Sequence, residues 1–367
     1  MKKKKIIIVV IVLAIVCAAA VWLFTYGPLA QKDIEETEET EDIEKVQPVG
    51  PAFNADSAYA FTQAQCDFGP RPMNTEAHEK CLQWIEKKFK QYGCEVELQK
   101  ADLKGWDGTM LHSTNIIARY NPNATTRILL CAHWDSRPWA DNDPDSLNHH
   151  KPILAANDAA SGVAVMLELA RLLHNASSAH NASSSTQNAS LGSHNSSLGS
   201  LNSSLGIDFV CFDAEDYGVP EWSNVQDDGS SFALGAQYWA SHVPHGYTPR
   251  YGILLDMVGG AGAQFYREGM SLQYAPAIVK KVWRAARQAG YGSFFPNEDG
   301  GMITDDHIPV NQTAKIPCID IIPYYPTCQQ SSFGPTWHTL ADNMDNIDKN
   351  VLKAVGQTMV QVIYTEK

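Results

Sequence analysis

The stretch Ile-Asp-Phe-Val-Cys-Phe-Asp-Ala-Glu-Asp, residues 207–216, sets an apolar run directly against a knot of acids. A run of this kind fits a strand buried on both faces, as in a mostly parallel sheet. Adjacent acids at its end are costly unless solvated or paired with a cation. The same grammar recurs outward along the chain. Residues 127–132 form an apolar strand pattern that runs into His133, residues 251–258 contain Asp256, and residues 316–323 form another buried strand. Helical spacing separates them at 75–92, 161–173, 274–289 and 346–364. Strands alternating with helices predict an α/β fold, a single three-layer α/β/α domain around a mixed, mostly parallel sheet. Residues 94–98 and 115–120 add two strands. The turn Asn121-Pro122-Asn123 predicts a hairpin between 115–120 and 127–132.

Composition agrees with a globular chain. Hydrophobic residues make up 44% of the 367 and charged residues 19%, enough to bury a large core. The net charge is −13, much of it from an acidic stretch between Asp33 and Glu44, and no basic stripe suits nucleic acid. The domain is expected to span 51–367, after an acidic disordered linker at 26–50. Lysines 2–5 precede an apolar run over 6–24, long enough to span a bilayer. Residues 1–25 therefore read as a signal anchor, with a cleaved signal peptide as the alternative. The lysines stay cytoplasmic, which predicts an exported, extracytoplasmic or periplasmic domain tethered to the inner membrane. Residues 174–206 repeat Ser, Asn, Ala and Leu-Gly and predict a mobile surface insertion, with Asn-x-Ser sequons at Asn175, Asn181, Asn188, Asn195 and Asn202. Eight cysteines show no metal spacing, and Cys131 and Cys211 are expected as buried thiols.

The chemistry-bearing residues fall where strands end. His133 and Asp135 lie two apart, on one side of a strand; an Asp so placed often only fixes the imidazole tautomer. Asp158 precedes a helix rich in small residues, where an Asp commonly caps first-turn amides. Glu215 beside Asp216 allows one acid to bind a metal while the other moves protons. His338 follows Trp337 at the edge of a Pro- and Ser-rich loop. Thr304-Asp305-Asp306-His307 supplies acids, one of which can pair with Asp256 and share a proton with it. Carboxylates and imidazoles converging from separate segments suit a hard-to-borderline cation, and the set points to a metalloenzyme acting on an amide.

In this order and spacing, CAHWDS (131–136), ANDAASGVAVMLELARLL (156–173), FDAEDYG (212–218), Trp222-Ser223, LLDMVG (254–259), ITDDHIP (303–309) and TWHTLADN (336–343) resemble the M28 family of zinc peptidases, and within it the glutaminyl cyclases of the animal type. The resemblance covers residues 53–367. It implies one zinc per chain held by Asp158, Asp216 and His338, with Asp216 standing where Glu is common. It also implies Glu215 as the proton-transferring acid and Asp256 with Asp305 as an acid pair near the substrate. Trp222, Ile303 and Trp337 would form the pocket, with Tyr325 or Phe333 as a further aromatic. The family disulfide near the first His motif is not matched, since Ala132 precedes His133. The implied reaction closes the N-terminal glutamine of peptides and proteins to pyroglutamate and releases ammonia. A two-zinc aminopeptidase, with ligands His133, Asp158, Asp216, Asp256 and His338, is the main rival. A catalytically dead peptide-binding module would be expected to have lost Glu215 or His338, and neither is lost.

Overall fold

The computed structural model describes residues 46–185, 202 and 204–367. The expected anchor, most of the acidic linker and the centre of the insertion lie outside these residues. No helix among the described residues is long and apolar enough to cross a membrane.

A six-stranded sheet forms the middle layer: β1 (Glu95–Lys104), β2 (Met110–Tyr120), β3 (Thr126–His133), β4 (Leu205–Phe212), β5 (Gly252–Leu255) and β6 (Cys318–Ile321). Its order is β1-β2-β4-β3-β5-β6. β4, β3, β5 and β6 run parallel, while β1–β2 and β2–β4 pair antiparallel. The sheet is mixed and mostly parallel, as the apolar runs predict. The expected hairpin between β2 and β3 does not form. β4 lies between them, and the tight hairpin is the β1–β2 pair, with Glu95 opposite Arg119 and Lys104 opposite Met110.

Helices cover both faces. On one face lie α1 (Ala55–Cys66), α2 (Glu76–Gln91), α3 (Ala160–Ser185), α6 (Pro276–Ala289) and α8 (Lys349–Thr365). They pack on Ile128, Leu130, Ala132, Ile207, Phe209, Cys211, Ile253 and Leu255. The opposite face presents the alternate residues Leu129, Cys131, Val210, Phe212 and Leu254 to α4 (Leu234–Ser241) and α7 (His307–Gln312). This period-2 division along strands apolar on both sides is what a covered sheet requires. A short helix, α5 (Gly269–Tyr274), precedes α6. The expected helix over 274–289 begins at Pro276, where proline's fixed φ suits the first turn.

The insertion is partly corrected. A loop is expected from Asn175 onward, but α3 continues through Ser185. The seven cysteines among the described residues are free, and Cys131 and Cys211 are fully buried.

Candidate active site

The parallel strands end on one edge of the sheet, and the chemistry-bearing residues follow from there. His133 is the last residue of β3. Glu215 and Asp216 come just after β4, Asp256 just after β5, and Asp158 just before α3. The loop between β6 and α8 brings in His338. Ala155, Ala214, Met257 and His338 itself adopt positive φ of 50 to 55°, a region that costs non-glycine residues roughly 1–3 kcal/mol each and clusters at functional sites.

Asp158, Asp216 and His338 each bring one ligand atom to within 4.8 Å of the others. His338 Nε2 lies 3.3 Å from Asp216 Oδ1 and 3.8 Å from Asp158 Oδ2. All three side chains are buried, and Asp216 Oδ2 has no hydrogen-bond partner. Two buried carboxylates beside an imidazole, one oxygen unpartnered, fit a divalent cation better than any protein-only arrangement. Two oxygens and one nitrogen suit zinc and leave a fourth position for substrate. His133, Asp158 and Asp256 form a second group of the same span, with His133 Nε2 at 2.8 Å from Asp158 Oδ1 and 3.4 Å from Asp256 Oδ1. The carboxylate of Asp158 faces these two imidazoles, so it serves the site and not the helix cap.

A supporting layer stands behind. Asp141 Oδ1 lies 3.5 Å from His338 Nδ1, and both Asp141 oxygens accept from Arg137, at 2.7 and 2.6 Å. Arg137 also reaches Asp216 Oδ1 at 3.2 Å. Asp135 Oδ1 stands 3.5 Å from His133 Nδ1, which makes no hydrogen bond, so Asp135 faces the ring as His-x-Asp suggests without closing a tautomer-fixing bond. Arg137 and Asp141 escape the sequence reading. They lie in a stretch without regular structure, where no spacing marks an ion pair.

Burial and mutual charge divide the acids. Burial, with the Asp216 charge, raises Asp158 to about 6. Burial lifts Asp216 too, but the neighbouring His338 and Arg137 outweigh it and hold its carboxyl low. Burial carries Glu215 well above the ordinary carboxylate range. Asp305 is raised to about 6 by burial and the Asp256 charge.

These groups open into a cavity of about 490 Å³. Asp158, Glu215, Asp216, Asp256, Asp305 and His338 face it, and Ile303, Phe333 and Trp337 form apolar wall. Trp337 stacks on His338 with centroids 3.7 Å apart, and Phe333 packs on Trp337 at 4.8 Å. Of the two aromatic candidates, Phe333 reaches the cavity. Tyr325 does not line it; its hydroxyl turns to the carbonyl of Ala261 at 3.3 Å. Trp222 is not among the lining residues either. It is 41% exposed and packs on Trp106, Trp139 and His150. Phe232, Val219 and Ile322 line the cavity and carry no motif in the sequence.

Residues 115–363 match the model of peptidase family M28. The chain belongs to this family, among its glutaminyl cyclases. A structure of Bacteroides thetaiotaomicron glutaminyl cyclase bound to N-acetylhistamine is 48% identical, with a TM-score of 0.77 over 87% of this chain and 100% of that one. A second structure from Bacteroides thetaiotaomicron, described as a leucine aminopeptidase precursor, is also 48% identical, with a TM-score of 0.76 over 87% and 100%. Glutaminyl-peptide cyclotransferase of Gloydius blomhoffii is 27% identical over 268 residues, 69% of this chain; the alignment spans 65% of that protein's length.

Proposed function

We propose that this chain is a zinc-dependent glutaminyl-peptide cyclotransferase, which closes N-terminal glutamine to pyroglutamate and releases ammonia. One observation carries this: Asp158, Asp216 and His338 converge beside Glu215 at the floor of a cavity walled by Ile303, Phe333 and Trp337. We assign one zinc per chain to those three ligands. Bound there, zinc supplies Lewis acidity to the side-chain carboxamide oxygen.

The remaining work belongs to the protein. The apolar wall holds the short glutamine side chain and keeps bulk water from the carboxamide. That confinement brings the α-amine to the carboxamide carbon, and such positioning has large leverage on an intramolecular attack. Glu215 takes the proton from the attacking amine and returns it to the departing nitrogen. The new bond joins the α-nitrogen to the carboxamide carbon, the bond to the amide nitrogen breaks, and ammonia leaves. Asp256 and Asp305, which also line the cavity, orient the amine. Burial raises the Glu215 carboxyl well above the ordinary carboxylate range, the direction that a group taking and then returning a proton needs.

A two-zinc aminopeptidase is the second reading, and the His133, Asp158, Asp256 group is the observation that favours it. Products and metal count separate the two. The purified protein is expected to release ammonia from Gln-peptides, to stop on chelation, to recover on addition of zinc, and to hold one zinc. Release of the N-terminal residue as a free amino acid, with two zincs per chain, would establish the aminopeptidase instead. We further propose that the domain is exported and tethered by residues 6–24. Membrane fractionation, and protease accessibility in intact cells, test this; a cytosolic location would overturn it.

A further inference from the structure

The segment between Asp216 and α4 forms one lip of the cavity, and its charges are all of one sign. No lysine or arginine occurs between Arg171 and Arg250. Glu221 and Asp227 line the cavity and are exposed, at its solvent side. The segment is anchored at Glu221 by its backbone and at Asp227 by its carboxylate. The Glu221 N–H donates to Asp141 Oδ2 at 2.9 Å, which ties the lip to the layer behind His338. Asp227 Oδ2 accepts from Ser231 Oγ at 2.6 Å, and Ser231 Oγ accepts the N–H of Val219 at 3.0 Å. Among the described residues, the only lysine or arginine lining the cavity is Arg137, which is buried and engaged by Asp141 and Asp216. The acids of the floor face each other, the imidazoles and the cation proposed there. Those of the lip face solvent with no lysine or arginine partner among the described residues of the cavity walls.

We infer that Glu221 and Asp227 select the substrate's downstream residues, favouring peptides with a basic side chain just after the N-terminal glutamine and disfavouring acidic ones. The inference rests on the cyclase assignment. With the glutamine side chain and α-amine on the floor, the rest of the peptide leaves through the mouth, and the second and third side chains pass the lip. Two carboxylates on this anchored lip attract a lysine or arginine and repel a glutamate, an effect of about tenfold at low ionic strength. It acts on association with the peptide and not on ring closure, so it belongs in KM.

The experiment compares Gln-Lys, Gln-Ala and Gln-Glu peptides of equal length, by ammonia release, at about 20 mM and about 500 mM salt. The same series is run on the Glu221→Gln, Asp227→Asn double variant. Expected is a kcat/KM for Gln-Lys about tenfold above Gln-Glu at low salt, carried by KM. The ratio falls below about threefold at high salt and in the double variant. Equal rates for the three peptides in the unaltered protein overturn the inference, and so does a lysine preference that survives both salt and substitution. The salt series on the unaltered protein stands by itself should the double variant prove unstable. Absence of ammonia from all three peptides is a different result: it removes the cyclase assignment and this inference with it.

Discussion

Asp135 holds Glu215 by its backbone: one carboxylate oxygen accepts the Glu215 N–H at 3.1 Å, and the other accepts the Asp216 N–H at 3.2 Å. A single buried acid on the β3 exit thereby fixes both the proposed proton carrier and a proposed metal ligand on the β4 exit. Its Oδ1 also stands 3.5 Å from the His133 ring. Asparagine in its place keeps one acceptor but turns an NH2 toward the second amide. Asp135→Asn is therefore expected to lower kcat about 10–100-fold. Zinc affinity is expected to weaken with it, because Asp135 holds the backbone of the ligand Asp216. Steady-state kinetics and metal analysis check this; a kcat within twofold of the parent would show that the loop holds itself.

Glu215 carries a separate expectation. It lines the cavity beside Asp216, so an uncharged isostere leaves the ligands in place and removes only proton transfer. Glu215→Gln is expected to bind zinc as the parent does and to lose about 10²–10⁴ in turnover. Ammonia release measured with parallel metal analysis is decisive. Retained turnover removes Glu215 from the chemistry, and lost zinc makes it a ligand.

The strands at the site were the most legible part of the chain. β3, β4 and β5 are apolar runs that end in or run straight into His or Asp, and two-sided burial writes itself into consecutive residues there and in β6. Their pairing was less legible. The turn at Asn121 describes only its own bend, and no local signal reports that β4, far along the chain, inserts between β2 and β3. α4 and α7 are too short, at 8 and 6 residues, to establish a period. The start of the insertion read as loop because Ser and Asn are weak helix formers, yet α3 carries straight into it. Motif residues on strand ends came together as the spacing implied. Trp222 did not, since a side chain in an irregular segment can turn to either side of it, and here it joined Trp106 and Trp139.

Gly162 makes the close approach of α3 to the sheet possible. A Cβ there would lie 2.1 Å from the Leu255 carbonyl oxygen and 2.9 Å from Ala132 Cβ, both on strands that end at the site. The obstruction is backbone, which cannot rotate aside. Gly162→Ala is expected to cost about 3 kcal/mol or more of stability, the upper end for overpacking a core, and to displace Asp256 and His133 with the strands. Denaturant unfolding gives the first quantity and zinc affinity the second. A loss under about 1 kcal/mol would mean that α3 can slide.

Glu268 links the cavity wall to acid stability. Its carboxylate accepts the N–H groups of Met270, Ser271 and Ile303 at 2.7, 2.6 and 2.8 Å, and lies 3.3 Å from His307 Nε2. Burial pushes its carboxyl up, but His307 and the first turn of α5 outweigh that and pull it from 4.5 to about 2. The sign follows. A carboxyl whose folded value lies below its unfolded one stabilises fully above about pH 4.5, and loses that stabilisation as pH falls toward 2. Glu268→Gln is expected to destabilise by a few kcal/mol at neutral pH. The deficit should shrink steadily below pH 4.5 and vanish near pH 2, where the parent's carboxyl is protonated too. Denaturant unfolding of both proteins across that range measures it. A deficit that stays constant with pH would mean that Glu268 acts through packing and hydrogen-bond shape, and that its charge contributes nothing to the Ile303 wall.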